Sequence, residues 1–285
     1  MKNMNRRKFI RQGSLAASAA FALSQLPKQL FASASAENIP VGFQSWILRD
    51  DIGKNFATNL KMMSDMGYKL IEMCSPKGYG GGFAPLESIR PSELKKSIND
   101  NGLSCPSCHF GFKELTEDLE SRIEWSKEIG LSHMVCSSMG LPKDATISDW
   151  QKAAERLNES GEKIKAAGLQ AGFHNHSTEF AKIDSELIYD RLLKTFDPEL
   201  VKLQFQTEVI NLGYKASDYF NKYPGRFISS HLSDWTSDKK QAAIGSGVID
   251  WKEFFAAAKK AGVQHFYVEM DADKFKDSIA YIKSV

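Results

Sequence analysis

The sequence predicts an α/β chain folded as one parallel (β/α)₈ barrel. Three observations predict it. After residue 37, short β-rich runs alternate with amphipathic stretches of ten or so residues. Eight such strand–helix units follow one another, the number that closes a barrel of typical size. No G-x-G-x-x-G opens a helix after the first strand, which disfavours a doubly wound open sheet.

The strands are expected at 39–46 (IPVGFQSW), 68–74 (YKLIEMC), 103–110 (LSCPSCHF) and 132–138 (SHMVCSS). The remaining four are expected at 169–175 (LQAGFHN), 201–207 (VKLQFQT), 226–232 (RFISSHL) and 265–271 (HFYVEMD). Each is rich in β-branched, aromatic or sulfur side chains and too short for a helix. The helical stretches between them begin with ATNLKMMSDMG, PSELKKSINDNG, LTEDLESRIEWSKEIG and WQKAAERLNESGEKIKAAG. They continue with SELIYDRLLKTF, KASDYFNKY, DWKEFFAAAKKAG and FKDSIAYIK. Gly67, Gly102, Gly130, Gly168 and Gly262 stand where a helix C-cap is due, just before the next strand. No linker interrupts the rhythm, so residues 37–285 read as a single catalytic domain.

Residues 1–36 read differently. Arg6 and Arg7 precede a mild, alanine-rich apolar run from Leu15 to Leu23, and ASASA at 32–36 offers small residues for cleavage. This pattern is that of an export signal, and the arginine pair makes it similar to a twin-arginine (Tat) signal. The expectation is a periplasmic, exported protein with no stable membrane span once the signal is removed. The 37 basic and 35 acidic residues give a formal charge of +2, so the basic excess of a nucleic-acid binder is missing. Of the four cysteines, Cys105 and Cys108 have C-x-x-C spacing, but no second pair completes a zinc tetrad. All four are expected to be buried packing residues.

Chemistry in such barrels gathers at the C-terminal ends of the strands. Those ends offer Gln44 and Trp46, Glu72, His109, Ser137 and Ser138, His174 and His176, Gln206 and Glu208, His231 and Asp234, and Glu269 and Asp271. Four of the six histidines are among them; His133 and His265 instead open strands and are expected to be core residues. In the stretch AGFHNHSTEF, one of His174 and His176 should reach the barrel axis and the other line the rim. Imidazole, carboxylate and amide oxygen together suit one divalent metal ion such as Mn, Co, Ni or Zn. Glu72 lies in the apolar run KLIEMC; a buried carboxylate needs partners, so it is functional or salt-bridged. His109 is an acid/base group or a hydrogen-bond donor.

The stretches GFHNHSTEF, KYPGRFISSHLSDW, IGSGVIDWKEFFAAAKKAG and FYVEMD resemble the sugar phosphate isomerase/epimerase superfamily, the xylose-isomerase-like TIM barrels. The resemblance runs from about residue 39 to the end, and implies one divalent ion held from the fifth to the eighth strands. His231 and Glu269 match that pattern, whereas His174 and Gln206 stand where the superfamily has carboxylates. The ligand set His174, Gln206, His231 and Glu269 should therefore favour Mn, Co, Ni or Zn over Mg. It also lacks one proton-transfer carboxylate, so a single α-proton abstraction followed by loss of a β leaving group is expected over two-base epimerisation.

With export, the resemblance implies a sugar or glycoside substrate, in particular a 3-keto-glycoside. Catalysis is then expected from Glu269, Glu72 and His109, and substrate contacts from His176, Trp46, Asp234 and Trp235. Homo-oligomers are common among such relatives. Sugar isomerisation or epimerisation stays open beside elimination. Two other readings are a non-catalytic periplasmic sugar-binding barrel and an AP-endonuclease-like phosphodiesterase. The latter needs a many-ligand zinc cluster, which six histidines supply poorly, and the charge shows no DNA footprint.

Overall fold

The computed structural model describes residues 40–285; the expected export signal lies outside them. Eight parallel strands close a barrel: β1 Val41–Gln44, β2 Leu70–Cys74, β3 Ser104–Gly111, β4 His133–Ser138, β5 Gln170–His174, β6 Val201–Gln206, β7 Phe227–Leu232 and β8 His265–Val268. Neighbours in sequence are neighbours in the barrel, and β8 pairs with β1 through Val41 opposite Phe266. The outer helices are α1 Phe56–Met66, α2 Pro91–Asp100, α3 Leu119–Ile129, α4 Ile147–Ala166, α5 Ile188–Thr195, α6 Ala216–Lys222, α7 Trp251–Ala261 and α8 Phe275–Ile282. No helix among the described residues is long and apolar enough to cross a membrane.

Local signals set the element ends. The five glycines expected at helix ends all have positive φ, where a side chain would be strained. Helix α4 starts with a capping box, Thr146 and Asp149 each binding the other's backbone N–H. Four strands stop earlier than expected, β5 and β6 by one residue and β1 and β8 by two or more. β1 ends at Gln44 because the Gln44 Oε1 accepts the Trp46 N–H at 3.1 Å and turns the chain into a 3₁₀ segment, Ser45–Leu48. β8 ends at Val268; Glu269 still donates its N–H to the Leu232 carbonyl, but Asp271 already caps the next turn.

The strands divide their side chains between two environments. Phe43, Met73, Phe110, Cys136, Phe173, Phe205 and Val268 join the helices in one apolar core. Each buried aromatic there contributes about 2–3 kcal/mol of burial energy. All four cysteines are free and buried, as expected, and burial pushes the Cys105 thiol up to about 12. The other face lines the barrel axis. Gly42 is required there: a Cβ would lie 2.5 Å from the Tyr267 ring. His133 and His265 form a pair at the strand starts with ring centroids 5.2 Å apart, away from the strand ends that carry the site.

Candidate active site

At the C-terminal ends of the strands lies an open cleft of about 1150 Å³. Its floor is polar where barrels usually carry branched aliphatic residues. β3 brings His109, β5 His174 and β7 His231, all buried. Their ring centroids lie 4.9 Å (His109–His174), 5.0 Å (His109–His231) and 4.3 Å (His174–His231) apart. One nitrogen of each can sit within 4.8 Å of the others, the separation that ligands of one ion allow. The Nδ1 of His174 is buried with no hydrogen-bond partner among the described residues. An orphaned buried nitrogen costs free energy unless something binds it, so these residues fit a divalent cation.

Glu269, following β8, completes the ring. Its Oε2 accepts from His231 Nδ1 at 2.8 Å and from Gln206 Nε2 at 2.8 Å. Its side chain keeps 21 % exposure, whereas that of His231 keeps none, so Glu269 is the member of the pair open to the cleft. Beneath them Glu72 is fully buried. It accepts hydrogen bonds from Gln44 Nε2 (2.7 Å), Ser107 Oγ (2.6 Å), Gln204 Nε2 (2.8 Å) and His231 Nε2.

These contacts set the ionisation of the site. Burial alone would disfavour the charged form of His231, but Glu269 and Glu72 on its two nitrogens outweigh burial and raise it to about 9. Burial likewise works against ionised Glu72, and the His109 and His231 imidazoles prevail, bringing it down to about 2. Glu269 is lowered against its own burial, chiefly by His231. His109 and His174 are lowered, first by burial, which leaves each imidazole neutral with one nitrogen free of a proton to bind a cation.

The structure brings His174 and His231 of the expected ligand group to ligand distance of each other and of His109; Gln206 and Glu269 of that group bond to each other, and Glu269 to His231, outside that cluster of three. Trp46, His176 and Trp235 line the cleft. His176 stands exposed at the rim, its ring 4.7 Å from that of His174. Glu179 accepts the His176 N–H at 2.7 Å and is otherwise buried, so it caps its own turn.

Two expectations are corrected. Asp234 is not a substrate contact. It is fully buried, and its carboxylate binds the N–H groups of Trp235, Gly245 and Gly247 and the Trp251 indole, holding the loop before α7. Glu72 does not reach the cleft either, because both of its oxygens are taken by protein donors from below. It cannot be a catalytic base acting on substrate.

Three residues were not anticipated: Ser107, Gln204 and Ser229. Each precedes an anticipated residue (His109, Gln206, His231) by two positions. The strand period of two, extended one step toward the strand start, would have found them. Glu114 was also missed. It lines the cleft wall, accepting from Ser75 Oγ at 2.6 Å and from the Gly111 N–H at 2.9 Å.

A family model described as a xylose isomerase-like TIM barrel matches residues 60–285. The inosose dehydratase of Geobacillus thermodenitrificans is 24 % identical over 216 residues, which span 61 % of this chain and 71 % of that one. A sugar phosphate isomerase/epimerase from Parabacteroides distasonis superposes with a TM-score of 0.75 at 23 % identity, covering 90 % of this chain and 98 % of that one. The IolI protein, solved with a bound zinc atom, superposes with a TM-score of 0.64 at 14 % identity, covering 86 % and 94 %.

Proposed function

The chain belongs to the xylose isomerase-like TIM barrel family, and on that premise we propose that it is a divalent-metal-dependent enzyme that enolises a keto-sugar and eliminates a β leaving group. The substrate class proposed is a 3-keto-glycoside. The observation that carries this reading is the convergence of three buried imidazoles with one partly exposed carboxylate, Glu269, on the floor of an open cleft. Likeness to a dehydratase supports it, since loss of water is itself an elimination.

His109, His174 and His231 would hold the ion with Glu269. An imidazole-rich set of this kind favours Zn, Co, Ni or Mn over Mg. When bound, the ion supplies Lewis acidity that makes the C–H beside a ketone easier to ionise. Glu269 takes the C2 proton, its carboxylate kept charged and aimed by His231. The electron pair of that C–H bond forms the C1–C2 double bond, and the C1–O bond to the aglycone breaks. His176, at the rim, is placed to return a proton to the leaving oxygen. Trp46, Phe112 and Trp235 offer the ring an apolar wall. For the isomerisation alternative the same base and cleft serve, but no leaving group departs.

The test is turnover of a 3-keto-glycoside by protein loaded with Zn, Co, Ni or Mn, compared with Glu269→Gln. Release of the aglycone by the wild type and its loss in the variant, with sugar binding retained, is the expected result. Equal behaviour of the two, with binding but no turnover, would leave a sugar-binding barrel instead.

A further inference from the structure

We propose that Glu72 is the positioning residue of this site: one buried carboxylate keeps a proton on Nε2 of both His231 and His109. The inference rests on the metal reading above and deepens it.

The argument follows from donor and acceptor chemistry. An ionised carboxylate can only accept. Both Glu72 oxygens are occupied: Oε1 by Ser107 and Gln204, Oε2 by Gln44 and His231. Since His231 Nε2 faces Glu72, it must carry a proton; its Nδ1 proton, donated to Glu269 in the metal-free site, is the one an ion would displace. Gln204 passes the same instruction to His109. Its amide nitrogen donates to Glu72 at 2.8 Å and to Ser229 Oγ at 2.9 Å, so its carbonyl oxygen must face the other way. That oxygen lies 2.6 Å from His109 Nε2. An acceptor oxygen and a bare ring nitrogen cannot share so short a contact without a proton, so His109 also carries its proton on Nε2 and keeps the lone pair on Nδ1. His109 Nε2 additionally lies 3.2 Å from Glu72 Oε2, which reinforces the choice. A carboxylate behind a metal-holding imidazole is a known way to fix its orientation and raise its basicity. Here a single residue, set on β2, acts on imidazoles of β3 and β7, one of them through an amide on β6.

Glu72→Gln replaces one acceptor oxygen by a donor, which frees Gln204 to turn over and lets either nitrogen of His109 hold the proton. Two readouts test this. Imidazole ¹⁵N resonances of the metal-free protein at neutral pH should show His109 protonated on Nε2 in the wild type and on a mixture of nitrogens in the variant. Cobalt(II) titration, followed by visible absorption, should show affinity falling about 10–100-fold. Gln204→Leu keeps Glu72 against His231 and at 3.2 Å from His109 Nε2, and cuts only the relay. It should shift the His109 tautomer partway toward the mixture of Glu72→Gln, with a smaller loss of cobalt affinity, and it serves if Glu72→Gln does not fold. His109 remaining on Nε2 in both variants would overturn the proposal. Wild type that takes up no cobalt would sink the metal reading alone, because the tautomer is read without metal and still decides the role of Glu72.

Discussion

Glu269 Oε2 and His231 Nδ1 lie 2.8 Å apart, with His231 sealed from solvent and Glu269 open to the cleft. The imidazole orients the carboxylate and keeps it charged, and the carboxylate faces the cleft. Glu269→Gln preserves the shape but not the base. Its kcat is expected to drop about 10²–10⁴-fold, the usual contribution of a positioned base. Steady-state kinetics with a 3-keto-glycoside checks this, and a change in KM alone would assign Glu269 to binding.

Removing two imidazoles should empty the metal site. Elemental analysis of untagged wild type is expected to give about one equivalent of a transition metal, as one cluster of this size holds one ion. The His174→Ala/His231→Ala double variant is expected to give none. Retention of metal by the variant would place the ion elsewhere.

Asp234 should prove structural. Asp234→Ala leaves the Gly245 and Gly247 N–H groups and the Trp251 indole without their acceptor. Each buried donor left unpaired costs about 1–3 kcal/mol, and more than one is affected. Calorimetry should show a Tm lower by several degrees, while KM for the substrate stays near wild type in the folded fraction. A raised KM at unchanged Tm would restore the substrate-contact role expected from sequence.

Glu179 gives stability a pH dependence. Burial raises its carboxyl to about 7, against an ordinary value of 4.5. Because the folded state holds this proton more tightly than the unfolded chain, the stabilisation is complete below about pH 4.5 and is lost as pH rises through about 7. The shift corresponds to about 3 kcal/mol. Glu179→Gln keeps an oxygen for the His176 N–H but cannot ionise. It should match wild type at pH 5 and exceed it at pH 8 in urea unfolding; parallel curves for the two proteins would refute the shift.

Gly42→Ala should destabilise the barrel without touching the site, because the new methyl meets the Tyr267 ring and Leu70. Overpacking of this kind costs about 1–3 kcal/mol. Denaturant midpoints would show it, and a neutral result would mean that the ring has room to move.

The sequence by itself determined the barrel. Periodicity of two and of 3.6 is a local property, so the eight strands and the helix-ending glycines, such as Gly67 and Gly130, can be read along the chain. The same local rule placed His109, His174, His231 and Glu269 at strand ends, and barrel geometry then required those ends to converge. What the chain could not state was which partner each polar group would take. Asp234 sits beside a strand end like the others, yet backbone N–H groups far along the chain claim its carboxylate. Glu72 was legible as a buried charge, but its partners come from β1, β3, β6 and β7. Closure of the barrel alone brings these together, and it leaves Glu72 enclosed by its donors and Glu269 open to the cleft. A carboxylate's role is set by who donates to it and by its access to the cleft, and both are facts of three-dimensional packing.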